Sequence, residues 1–163
     1  HAVAISQPEK EGNRILLIMP SRSNIEIAVK PGSLLTFNAS AQGKISLAFG
    51  PPELMEQVIS DGLGMITPYT VTEPARFRDE IAAVRNRGWA VAPNEAMIGL
   101  NALAAPIFDA FGKYAGSIAM TDSIQFIGET PTNEQLQHLR DAARKISANL
   151  GFREPVRPLG RNA

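Results

Sequence analysis

The sequence predicts an α+β domain in which helices pack on an antiparallel sheet. Three observations predict it. The first thirty residues alternate apolar and polar side chains in short runs, which is the period of a half-buried strand. Helix-starting and helix-stopping residues then bracket successive segments between about residues 40 and 88. A long apolar run, IGLNALAAPIF, finally leads through a turn into a second strand-like segment and an amphipathic terminal helix.

In chain order, HAVAIS and RILLIM read as strands joined at Glu11-Gly12-Asn13, and NIEIAV reads as a third, with Ile25, Ile27 and Val29 alternating; together they form an antiparallel meander. Pro31-Gly32 breaks it, and Leu34 to Phe37 follows. Ser40 is a good N-cap for a helix through Ile45, Leu47, Ala48 and Phe49, ended by Pro51-Pro52. A second helix has Pro52 in its first turn and Leu54, Met55, Val58 and Ile59 at helical spacing. After Gly62 and Gly64, Thr72 can cap a helix with Pro74 in its first turn, an apolar face of Phe77, Ile81 and Val84, and a stop at Gly88. Trp89 to Ala92 reads as a strand. Ile98 to Phe108 and Tyr114 to Thr121 form a central hairpin across Asp109–Gly112. Thr132 opens the last helix with Gln135 completing a capping box, Leu136, Leu139, Ala143, Ile146 and Leu150 on one side, and Gly151 closing it. The domain is expected over 1–152, with 153–163 a loose tail.

The 163 residues suit a single domain able to enclose a core. Lys plus Arg (16) balance Asp plus Glu (16) with no basic run, so direct nucleic-acid binding by this segment is not expected. The absence of cysteine excludes disulfides, thiolate nucleophiles and sulfur-ligated metal sites. No apolar run is long enough to span a bilayer and none reads as a signal peptide, so a cytoplasmic protein with no membrane partner is expected. Asn38-Ala39-Ser40 matches a glycosylation sequon that has no meaning in the cytosol.

Catalytic motifs fail one by one. Gly43-Lys44 lacks the flanking glycine and the Ser or Thr of a phosphate loop, since Asn38 and Ile45 hold those places. Gly62 and Gly64 lack a third glycine, Thr67 standing there. Gly116-Ser117 is not a nucleophile elbow. His1 and His138 have no ligand companions, so no metal and no cofactor are expected. Asp79 and Glu80, among Arg76, Arg78, Arg85 and Arg87, read as a solvated charged face.

One site has a physical argument. If Ser40 caps its helix, the free N–H groups of Ala41, Gln42 and Gly43 and the helix dipole make an anion site without Arg or Lys; the plainer alternative is that the cap and water satisfy them.

Several segments together resemble the effector-binding domain of IclR-type transcriptional regulators. NASAQGKISLAF is similar to the family's H-A-[ST]-x-x-G-K-x-x-L-A, with Ala39, Ser40, Gly43, Lys44, Leu47 and Ala48 matching and Asn38 replacing histidine. TPYTVTEPARFRDEIAAVRNRGWAV resembles its threonine-rich turn, Arg-rich helix and Gly-aromatic-Ala-Val. Gly88, Glu95, Ala102, Leu103, Ala104, Ile107, Phe108 and Asp109 stand at signature spacing, with Ala92 replacing Asp or Ser. The likeness runs over residues 2 to 151.

The resemblance implies a GAF-like fold, a curved antiparallel sheet flanked by helices around a ligand cavity. It also implies a preceding winged helix-turn-helix DNA-binding domain, so this chain is read as the sensor half without it, contacting DNA only through that domain. In the family, small carboxylates are held by amides of the first helix turn and by polar side chains on strands. Carried over, the amides fall on Ala41 and Gln42 beside the cap Ser40, and the side-chain positions on Ala92, Ala102, Ala119 and Thr121, of which only Thr121 is polar. Methyl groups in place of polar groups imply a larger, aromatic or longer-chain organic acid as partner. Asn101 is a further candidate, since strand register decides whether it or Ala102 faces the ligand. Trp89 could wall the pocket or be a buried structural indole, and the Gln42 side chain could join the anion site. A sensor that is not an enzyme is therefore the leading expectation, assembled as a homodimer or tetramer. The alternatives are an enzyme on the same scaffold and a pure oligomerisation domain; ligand-induced thermal stabilisation separates sensor from scaffold.

Overall fold

A computed structural model describes residues 1–21 and 29–154. The strands are β1 (Ala2–Glu9), β2 (Gly12–Met19), β3 (Leu34–Leu35), β4 (Ala90–Val91), β5 (Leu100–Phe108) and β6 (Tyr114–Ser123). The helices are α1 (Ala41–Phe49), α2 (Pro52–Asp61), α3 (Pro74–Arg87) and α4 (Asn133–Asn149). Most of the strand expected at 24–29, and the tail from 155 on, lie outside the described residues.

The strands join in one sheet, order β3-β2-β1-β6-β5-β4, every neighbouring pair antiparallel. This is the expected α+β, GAF-like architecture. The β5–β6 hairpin forms as its turn chemistry requires: the Asp109 carboxylate accepts from the N–H groups of Phe111 and Lys113, and Gly112 takes φ 73°. Long-range pairing then seats β1 against β6, with Ala2 opposite Thr121 and Ala4 opposite Ala119.

Alternation gives the sheet two dissimilar faces. On one, Ala104 and Ala119 pack under α1 with Ala41, Ile45 and Ala48, and α3 adds Phe77, Ile81 and Val84. On the other, Leu103, Ala105, Ile107, Ile118 and Met120 pack against Leu139 and Ala143 of α4.

Helix ends mostly follow local rules. Ser40 caps α1, and Gly88 ends α3 in the left-handed conformation at φ 79°. Several element ends differ from expectation. Glu73, not Thr72, caps α3, its carboxylate accepting from the N–H groups of Ala75 and Arg76. The strand expected over 89–92 shortens to Ala90–Val91, and β5 starts at Leu100 because Asn94–Gly99 closes a loop through the Asn94 N–H to the Leu100 carbonyl. On α4 the capping box is complete: Thr132 Oγ1 accepts from Gln135 N–H, and the Gln135 side chain accepts from Thr132 N–H. Thr132→Ala is expected to cost about 1 kcal/mol, read as a lowered thermal midpoint.

Candidate functional site

The end of α1 is built by the segment before it. Ser40 Oγ accepts from Gly43 N–H at 3.0 Å and donates to the Thr36 carbonyl at 2.6 Å, so the cap is locked to the chain that leads into it. Asn38 Nδ2 donates to the Gly64 carbonyl at 2.9 Å. The Ser40 carbonyl accepts from Lys44 N–H. The N–H groups of Ala41 and Gln42 find no acceptor among the described residues.

Those two residues form part of the wall of a cavity of about 690 Å³. Its floor crosses four adjacent strands: Ile15 and Ile18 of β2, Ala2 and Ala4 of β1, Thr121 of β6, and Ala102 of β5. Three interstrand steps make that floor about 14 Å wide. Ala92, Ala96, Met97 and Leu100 wall one side, and Val29, Lys30 and Pro31 belong to the wall as well. Methyl and aliphatic groups dominate the surface.

Gln42 is 4% exposed, lines the cavity, and its side-chain amide makes no hydrogen bond among the described residues. Thr121, half-buried, puts a hydroxyl-bearing side chain on the cavity face, since it pairs with Ala2 and Ala102.

Of the residues singled out in the sequence, Ser40, Ala41, Gln42, Ala92, Asn101, Ala102 and Thr121 come together at this cavity. Asn101 touches it with its side chain already occupied: Oδ1 accepts from Ala92 N–H at 3.1 Å, and Nδ2 donates to the carbonyls of Ile127 and Gly128. It braces β4 and the loop after β6. Ala119 and Trp89 do not line the cavity. Ala119 has the right parity, but α1 lies over it and leaves it fully buried. Trp89 packs with the cluster on the opposite, α4-covered face, and the Arg87 guanidinium lies 4.0 Å from its ring centroid.

Below the cap, Lys44 is fully buried and gathers three elements. Its Nζ donates to Glu80 Oε1 on α3 at 2.6 Å, to the Val91 carbonyl on β4 at 3.4 Å, and to Glu95 Oε1 in the 94–99 loop. Glu80, expected on a solvated face, thus turns inward. Burial pushes the Glu95 carboxyl above the usual carboxylate range against the pull of Lys44, and Oε2 is buried without a hydrogen bond. Thr70 Oγ1 donates to the Glu95 carbonyl and Thr67 Oγ1 to the Asn94 carbonyl, fixing the same loop from its other side. The loop that carries Ala96 and Met97 into the wall is therefore tied to the helix that carries the free amides.

Reading the sequence alone missed Lys30 and the β1–β2 floor. Ala2, Ala4, Ile15 and Ile18 carry no motif, and only sheet pairing puts them beside Thr121.

This fold and cavity can be set beside known proteins. Residues 8–148 match the family model described as bacterial transcriptional regulator IclR C-terminal. The HTH-type transcriptional repressor AllR of Escherichia coli strain K12 is 29% identical over 147 residues, covering 88% of this chain and 54% of that protein. The chain thus spans about half the length of the curated relatives it matches. The crystal structure of IclR from Thermotoga maritima superposes with a TM-score of 0.85 at 25% identity, covering 93% of this chain and 62% of that one. An IclR homologue from Microbacterium hydrocarbonoxydans, solved in complex with 4-hydroxybenzoate, superposes with a TM-score of 0.83 at 23% identity, covering 92% and 60%. With a family model matched over residues 8–148 and a fold that superposes on a solved member, the chain belongs to the IclR family of bacterial transcriptional regulators, as its C-terminal domain.

Proposed function

We propose that this domain senses a small organic acid, aromatic or longer-chain, and that the acid's carboxylate sits against the main-chain N–H groups of Ala41 and Gln42. One observation carries the reading. Among the described residues, a large apolar cavity contains two unpartnered amides at a helix N-terminus beside an unpartnered, buried Gln42 side chain. The positive end of the helix dipole favours an anion there, and the amides supply hydrogen bonds that apolar walls cannot. A volume of about 690 Å³ lies within the ordinary range for small-molecule sites of about 300–1,000 Å³ and is generous for a two- or three-carbon keto acid. The 4-hydroxybenzoate bound by the Microbacterium homologue is an aromatic acid, which agrees in class with this reading.

Binding would act by shifting a conformational or assembly equilibrium rather than by breaking a bond, and its output is limited by the ligand's differential affinity for the two states. DNA recognition by a helix-turn-helix segment outside these residues, a homodimeric or tetrameric assembly and a cytoplasmic location belong to the same proposal. The relatives are named as HTH-type repressors and extend well beyond the matched region.

A melting-shift screen of organic acids, followed by calorimetry on Gln42→Ala and Thr121→Val, tests it. Aromatic or longer-chain acids are expected to raise the melting temperature, with each substitution weakening a true ligand by about three- to tenfold. Tight binding of glyoxylate or pyruvate with larger acids silent, or full response in both variants, would overturn it.

A further inference from the structure

Lys30 is the sole charged residue among the described residues that wall the cavity, and no acidic residue accompanies it there. Among the described residues it forms no ion pair. Its main chain is fixed. The Lys30 carbonyl accepts from Ser33 N–H at 3.0 Å across Pro31-Gly32, with Gly32 at φ 87° as the third position of a type II turn requires. Gly32 N–H donates to the Ile15 carbonyl and Ile15 N–H donates to the Ser33 carbonyl, so the turn is clamped to β2 at the cavity floor. A cation with no counter-ion among the described residues is thus held on the wall of a cavity that already has one anion cradle on α1. The floor of the same cavity includes Ala2, Ala4 and Ile15, whose side chains offer nothing polar.

We propose that the ligand is an elongated acid with an anionic group at each end, one received at the start of α1 and the other by Lys30, with an apolar spacer between. This deepens the acid-sensing reading and rests on it. An acid with a single anionic group would leave Lys30 solvated and without effect. A second anion gains an ion pair and, through it, selection of spacer length. Since Lys30 is exposed, the gain is modest, and the spacer supplies most of the remaining affinity.

The test is calorimetric titration of the whole chain with dicarboxylates from glutarate to sebacate, and with octanoate against suberate as a chain-matched pair, on the native sequence, Lys30→Gln and Gln42→Ala. The expected result is that Lys30→Gln weakens suberate by about three- to fivefold and leaves octanoate unchanged, while Gln42→Ala weakens both. Equal effects of Lys30→Gln on both acids, no effect on either, or binding of monoacids alone overturns the two-anion ligand. If Gln42→Ala still weakens octanoate in those cases, the acid-sensing reading stands without it. If none of these aliphatic acids binds, the two-anion ligand falls, and the acid-sensing reading is decided by the aromatic acids of the melting-shift screen.

Discussion

Lys44→Met is expected to lower the unfolding free energy by about 3–5 kcal/mol, among the largest effects of any single change in this domain. Lys44 is fully buried, and its ammonium is the hydrogen-bonding partner of the buried Glu95 carboxylate and of Glu80. Removing it leaves Glu95, 5% exposed, without the ammonium that offsets the cost of burying its charge. The measurement is a urea transition followed by circular dichroism, with the midpoint falling and the slope unchanged. Pairing Lys44→Met with Glu95→Leu is expected to restore much of the loss, because the cost arises from the orphaned charge more than from the lost attraction. A loss below about 1 kcal/mol in the single variant would show that the cluster is hydrated and not buried as described.

Gly43→Ala is expected to destabilise by about 1–3 kcal/mol, although alanine normally favours a helix by about 1 kcal/mol over glycine. A Cβ at this position would lie 2.3 Å from the Phe37 carbonyl oxygen, 2.6 Å from Phe37 Cα and 2.6 Å from the Thr36 carbonyl oxygen. All three are backbone atoms, so no side chain can rotate away. The 36–37 segment would have to withdraw from α1, taking with it the carbonyl that holds Ser40 in its capping position. The ligand response in a melting-shift assay should therefore fall along with the melting temperature. Gly64→Ala is the control, since a Cβ there meets nothing within 4 Å, and it should be near neutral. Equal melting temperatures for the two variants would sink the close-approach argument.

Both predictions concern residues the sequence exposed only in part. Ser40 as a cap, the Thr132–Gln135 box, Gly88 as a helix stop and the Asp109–Gly112 turn were all readable, because each is decided by hydrogen bonds and backbone preferences within four or five residues. So was the apolar face of α3, whose Phe77, Ile81 and Val84 are buried as their spacing requires. Lys44 and Gly43 stood in a recognisable motif, yet nothing local says that Glu80 and Glu95, thirty-six and fifty-one residues away, close on the lysine.

The cavity itself belongs to tertiary structure. Its two amides without an acceptor among the described residues follow from one helix start, but its floor exists because β1 pairs with β6 across more than a hundred residues and sets Ala2 beside Thr121. Sheet parity sends Trp89 to the α4 side, and the path of α1 seals Ala119 away; neither follows from the identity of the residue. Lys30 reaches the wall because its turn is clamped to Ile15. The physical reason is range. Caps, turns and periodicity act over a few bonds and are written in adjacent residues, whereas strand order and which side chains share a hollow are fixed by contacts that form only when distant segments exclude water together.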